Sequence, residues 1–189
     1  MSRLAGTLVA VGFAISILGA VPAAQSAERG LNYIVPVVAG SSDVPEQRPP
    51  MPDFIFNDAS NQPIHLNRFL GQVVVLNFWA TWCAPCLKEM VFLDRLQGNF
   101  RDRPLAVIAI SEDRGGVATA KEFLTRQKYT FLRPYADPGM TAQQALGVRG
   151  LPTTYVIDKK GRLVTFVEGP YEWDNAKIAE QLSSLMAER

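Results

Sequence analysis

Both cysteines of this chain, Cys83 and Cys86, fall in one stretch, residues 78–86, FWATWCAPC. Two thiols at that spacing suit three chemistries: a structural staple, half of a metal site, or a pair that exchanges disulfides. A staple closing so short a loop would constrain the unfolded chain very little. Zinc would need two further ligands, and the chain offers one histidine, His65, and no third cysteine. Disulfide exchange needs one thiol that ionises easily and a second placed to expel a bound partner. Cys83 meets the first need if it ends a strand and opens a helix, where unpaired backbone N–H groups and the helix dipole favour the thiolate. Cysteines in such settings titrate between roughly 3.5 and 7.5, against about 8.5 for a free one. Cys86, one turn further on, can attack a mixed disulfide held on Cys83. Pro85 suits the first turn of a helix, where its missing N–H costs little. Trp79 and Trp82 supply apolar cover. The reading is a redox-active Cys83–Cys86 disulfide that needs no metal and no cofactor.

The elements that must position this pair are legible on either side. Gln72–Trp79 carries an unbroken apolar run, Val73-Val74-Val75-Leu76, which suits a strand covered on both faces. Ala84–Phe100 has helical spacing, with Cys86, Met90, Leu93 and Leu96 or Gln97 on one face and Lys88, Asp94 and Arg95 toward solvent. The pattern predicts further strands at Asp53–Phe56, Leu105–Ile110 and Phe131–Arg133, with a turn at Asp58–Pro63. It predicts helices at Val117–Lys128 and Thr141–Leu146. Thr153–Asp158 and Leu163–Glu168 read as a hairpin joined through Lys159-Lys160-Gly161. A closing helix over Asp174–Ala187 has Asp174 as its expected cap. This alternation gives an α/β domain, a mixed sheet with helices on both faces.

The 189 residues suffice for one domain with an appendage. Net charge is +1, with no block of like charge, which argues against a nucleic-acid partner. Residues 1–27 have the layout of an export signal or N-terminal membrane anchor. Arg3 precedes the uncharged run Leu4–Val21, and small residues follow. Whether that segment is cleaved stays open at this point. Both readings put the rest of the chain outside the cytoplasm, in a bacterium the periplasm, with residues 4–21 as the possible inner-membrane anchor. Residues 28–50, with Pro36, Pro45, Pro49 and Pro50, read as a flexible linker. The domain is expected over 51–188.

FWATWCAPC followed by LKEM, with VRGLPTTYVID downstream and EGPYEW at 168–173, resembles the thioredoxin superfamily and its TlpA-like branch of membrane-tethered thioredoxins. The resemblance implies a thioredoxin fold with an extra helix–strand insertion, periplasmic exposure and thiol–disulfide reductase activity. It also implies protein substrates. These are the copper-site cysteines of a cytochrome oxidase subunit and its copper chaperone, or the haem-binding cysteines of apocytochrome c. An integral-membrane thiol carrier would supply electrons. Residue by residue, Cys83 matches the attacking cysteine, Cys86 the resolving one, and Pro152 the cis-proline facing the disulfide. Trp82, Pro85, Leu151 and Thr153 are the expected substrate-binding neighbours. Ordinary thioredoxins carry a buried Asp where this chain has Asn77. The branch often has Asn there with a Glu three residues after the second cysteine, and Glu89 stands at that place. A half-buried Glu89 could hold or relay a proton for Cys86. His65 reads as a solvated turn residue, and Trp173 as either a partner contact or core.

Other functions fit less well. Disulfide-forming oxidases carry a helical domain between motif and cis-proline, and the 65 residues between Cys86 and Pro152 leave no room for one. A thiol peroxidase wants Thr where Ala80 stands. A copper chaperone of this kind usually adds a late histidine, and none follows His65.

Overall fold

The computed structural model describes residues 48–189. The expected signal or anchor at 1–27 and linker residues 28–47 lie outside the described residues. Among the described residues no helix is long and apolar enough to cross a membrane.

In chain order the elements begin with β1 (Ile55–Asn57), β2 (Pro63–His65), a short 3-10 turn (Leu66–Phe69), β3 (Val73–Trp79) and α1 (Ala84–Asn99). Then come β4 (Leu105–Ser111), α2 (Gly116–Arg126), β5 (Tyr135–Ala136) and α3 (Thr141–Ala145). The chain ends with β6 (Thr153–Ile157), β7 (Leu163–Glu168) and α4 (Ala176–Ala187). The strands form one sheet in the order β2-β1-β5-β4-β3-β6-β7. The β3–β4 and β4–β5 pairs are parallel; the β1–β2, β1–β5, β3–β6 and β6–β7 pairs are antiparallel. This is the mixed sheet of a thioredoxin fold, with α2–β5 as the added helix and strand.

Every residue of β3 and β4 is buried. Successive side chains point to opposite faces. Val73, Val75 and Trp79 therefore meet Met90 and Leu93 of α1, Phe123 of α2 and Leu182 of α4 in one cluster. Val74, Leu76 and Phe78 meet Met51, Phe54, Phe56 and Ala142 of α3 on the other side.

Three local expectations are corrected. The third predicted strand, Phe131–Arg133, is instead a loop, and β5 starts at Tyr135. Asp94, expected at the surface, is buried, and its carboxylate accepts the backbone N–H groups of Thr130, Phe131 and Leu132 at 3.3, 2.8 and 2.9 Å. Those donors are spent on α1 and cannot join a ladder. The turn expected at Asp58–Pro63 is present and closes a β1–β2 hairpin. Asp58 Oδ1 accepts from the N–H groups of Ser60 and Gln62, and Asn61 adopts a positive φ of 56°. The cap of α4 is Asn175, whose side chain accepts from Ile178 N–H at 3.0 Å; Asp174 faces Arg95.

The last residues of the expected linker belong to the domain. Arg48 donates to both oxygens of Glu188 at 2.8 Å and to Asp158 at 2.9 Å. Leu163 N–H donates to Pro49 C=O, and Met51 N–H to Gly161 C=O. This clasp sits beyond the Ile157 end of β6, where β6 pairs with the start of β3.

Candidate active site

Cys83 follows the buried end of β3 and is the N-cap residue of α1. Its backbone is extended (φ −89°, ψ 93°), and its sulfur accepts from Cys86 N–H at 3.3 Å. Pro85 lies in the first turn. The two cysteines are joined as a disulfide. The expected exposed thiol is only a rim: Cys83 keeps 6% of its surface and Cys86 none. An approaching sulfur can therefore reach Cys83 and not Cys86.

The Leu151–Pro152 peptide bond is cis. Thr153 pairs in register with Phe78, which sets Pro152 at the Cys83 end of the sheet. Of the expected substrate neighbours, Trp82 (72% exposed) and Pro85 face solvent, and Leu151 is half-buried. Thr153 departs from the expectation. It is buried and donates its hydroxyl to Gly150 C=O at 2.7 Å, so its side chain is committed to shaping the loop before Pro152. The Pro152 carbonyl is likewise taken, by Gly169 N–H at 2.8 Å.

Behind the disulfide, one turn along α1, lies Glu89, 1% exposed rather than half-buried. One carboxylate oxygen accepts from the Asn77 side-chain amide on β3; the other accepts Tyr171 N–H at 2.9 Å. The same Asn77 nitrogen donates to the Thr154 hydroxyl at 2.8 Å. Burial pushes the Glu89 carboxyl up to about 7, against the lowering pull of the Tyr171 N–H and the Asn77 amide. The Trp173 indole N–H also favours the charged form but reaches no hydrogen bond of normal geometry. Trp173 is thus core, 2% exposed, packed edge-on to Tyr171.

His65 lies on the edge strand β2, exposed, with its ring nitrogen 2.8 Å from Asp53. Among the described residues no group of three or more His, Cys, Asp or Glu side chains could hold a metal ion. Sequence reasoning passed over Tyr171, whose contribution is a backbone N–H that no side-chain pattern reveals. It also passed over Glu112 and Asp113. Two acids close behind the apolar run Leu105–Ile110 were a signal that could have been used.

The AhpC/TSA family profile matches residues 48–166. A thiol-disulfide oxidoreductase ResA of Bacillus thuringiensis subsp. konkukian is 35% identical over 135 residues, which covers 71% of this chain and 75% of that protein. ResA of Geobacillus thermodenitrificans is 32% identical over 127 residues, 67% of this chain and 71% of that protein. Among solved structures, a candidate thiol:disulfide interchange protein DsbE from Chlorobium tepidum superposes with a TM-score of 0.65 at 25% identity, over 75% of this chain and 99% of that one. An exposed lipoprotein thioredoxin from Streptococcus pneumoniae gives 0.59 at 28% identity, over 71% and 100%.

Proposed function

The chain belongs to the AhpC/TSA family and is a thiol–disulfide oxidoreductase of thioredoxin fold, and from that premise we propose that it works outside the cytoplasm as a reductase of cysteine pairs in exported proteins. The observation that carries disulfide exchange is the Cys83–Cys86 disulfide at the start of α1 with the buried Glu89 one turn behind Cys86; the reductase direction is what the resemblance to the TlpA-like branch implies. A carboxyl held at about 7 is divided between its two forms near neutral pH, which suits it to take and return one proton.

In the proposed cycle the Cys83 thiolate attacks one sulfur of the partner disulfide. A Cys83–partner bond forms, the partner S–S bond breaks, and the first partner sulfur leaves as a thiolate. Cys86 passes its proton to Glu89 and attacks the Cys83 sulfur. The mixed disulfide breaks, and the second partner thiolate leaves. The partner has gained two electrons, and the protein has lost two into the Cys83–Cys86 bond. Glu89 can return its proton when an external thiol donor, by resemblance an integral-membrane carrier, reduces the pair again. Trp82, Pro85 and Leu151 form the rim a partner would meet, with Pro152 beside the disulfide. The resemblance points to copper-site cysteines of cytochrome oxidase and its chaperone, or haem-site cysteines of apocytochrome c, as the substrates. Residues 1–27 would export or anchor the chain.

The competing readings lack their parts. Between Cys86 and Pro152 stand the rest of α1, then β4, α2, β5 and α3, rather than the helical domain of an oxidase. Ala80, fully buried, occupies the place where a thiol peroxidase needs a threonine hydroxyl.

The test is the equilibrium of the Cys83–Cys86 pair against a glutathione series, followed by tryptophan emission. A potential near or below about −230 mV supports a reductase, and one near about −120 mV a strong oxidant instead. With a low potential, Cys86→Ser should then accumulate mixed disulfides with partners on Cys83.

A further inference from the structure

The loop that presents Cys83 is held from the side opposite the cis-proline by a single carboxylate. After β4 the chain runs alongside the end of β3, with Glu112 N–H donating to Trp79 C=O at 2.9 Å. The next residue, Asp113, reaches the motif itself. Its Oδ2 accepts Thr81 N–H at 2.9 Å and its Oδ1 accepts the Thr81 hydroxyl at 2.7 Å. Ser111, fully buried, donates its hydroxyl to the same carboxylate at 2.8 Å. Two residues beyond Thr81, Cys83 N–H closes the turn onto Ala80 C=O at 3.1 Å. Asp113 is 6% exposed, so this grip is shielded from water. An ionised acceptor bonding three donors holds tighter than a neutral one.

Glu112 is set beside it under different terms. It is 5% exposed, and neither of its carboxylate oxygens has a hydrogen-bond partner. Among the described residues the charged groups acting on it are Asp137, in the loop after β5, and Asp113. Asp137 is itself committed to the Thr141 hydroxyl and Ala142 N–H at the start of α3. A buried carboxyl facing two others, with no donor, keeps its proton. Burial first, then Asp137 and Asp113, push it up to about 8. While it is neutral, it sets no further charge against the Asp113 grip on Thr81. Once it ionises, its negative charge acts on both Asp137 and Asp113, and the part that falls on Asp113 opposes the Asp113 grip on Thr81.

We propose that Asp113 is a positioning residue that fixes Cys83 through Thr81, and that the unpartnered Glu112 carboxyl is placed beside it as the group whose ionisation loosens that hold. The inference rests on the reading of Cys83 as the attacking cysteine. It does not rest on the direction of electron flow, so a high potential would overturn the reductase assignment and leave this inference standing.

The test compares Thr81→Val, Thr81→Ser, Asp113→Asn and Glu112→Gln with the parent protein. The readouts are alkylation of reduced Cys83 by iodoacetamide as a function of pH, and thiolate-corrected exchange with a small disulfide. Thr81→Val and Asp113→Asn should move the alkylation midpoint by about half a pH unit or more and slow exchange several-fold, and Thr81→Ser should restore both. A merely structural role would lower the melting temperature in these variants while the Cys83 profile stayed that of the parent, and that result overturns the positioning role. The parent should lose exchange rate several-fold between pH 7 and pH 9, and Glu112→Gln should abolish that loss. Superimposable profiles for parent and Glu112→Gln overturn the role of Glu112. Should Asp113→Asn fail to fold, the Thr81 pair decides the positioning role alone.

Discussion

Replacing Glu89 with Gln keeps the shape of the side chain and removes one titration. In the folded protein burial holds this carboxyl at about 7, against 4.5 for the open chain. Between those values the folded state keeps a proton that the unfolded state has released. Stability is therefore fullest below 4.5 and drains away as pH climbs toward 7. The gap is about 2.5 units, and at about 1.36 kcal/mol per unit it amounts to roughly 3 kcal/mol. This is a ceiling, because water drawn in toward a charged Glu89 would relieve part of it. The assay is urea unfolding of the oxidised protein from pH 4.5 to 8, read from tryptophan emission. In the oxidised form the cysteines do not titrate and cannot confuse the slope. Glu112 is shifted in the same sense and adds to the parent curve, so the parent-minus-Glu89→Gln difference isolates Glu89. Asp158 stays out of that window. Burial raises its pKa, but the bonds from Arg162, Arg48 and Lys160 outweigh it and hold it below 3.8, so its contribution is lost only in stronger acid. The expected result is a parent protein that loses about 2–3 kcal/mol more than Glu89→Gln between pH 4.5 and 8. Curves that stay parallel to within about 0.5 kcal/mol would refute the buried acid and the proton role built on it.

Asp94→Ala should cost about 2–3 kcal/mol in urea unfolding, since it strips the acceptor from three backbone donors at Thr130, Phe131 and Leu132. Hydrogen exchange should localise the loosening to the segment before β5. Trp82→Ala should change stability by less than about 0.5 kcal/mol, because the side chain is 72% exposed. It should slow exchange with a protein disulfide several-fold more than exchange with a small-molecule disulfide; equal effects on both would remove Trp82 from the partner surface.

The parts of the fold written in periodicity were readable in advance. Val73–Trp79 and Leu105–Ser111 are apolar on both faces apart from Asn77 and Ser111 because both faces are covered, and α1 shows its inner stripe at Cys86, Met90, Leu93 and Leu96. The misread places are those where a side chain is spent on a backbone group rather than left to solvent or a partner. Asp94 looks like a surface acid on a helical wheel, yet it turns inward to hold a segment 36 to 38 residues on. Thr153 sits where a partner contact was expected, but its hydroxyl is spent on Gly150. Within the site, the cysteine pair was visible from spacing and chain position, and Glu89 from resemblance. The burial of Glu89 could not be read, because the segment that bonds to its carboxylate, at Tyr171 N–H, comes 82 residues later.

The Arg48 clasp settles how the domain carries load. A pull along the chain that precedes residue 48 is met first by the guanidinium bonds to Glu188 and Asp158 and by the backbone bonds at Pro49 and Met51. These bonds join the incoming segment to the β6–β7 turn and to the last turn of α4 together, so they are strained in parallel rather than one after another. Cys83 lies past the other end of β3, a seven-residue strand and hence some 20 Å away. A pull on residue 48 is thus taken up at one pole of the sheet, away from the Cys83–Cys86 pair at the other.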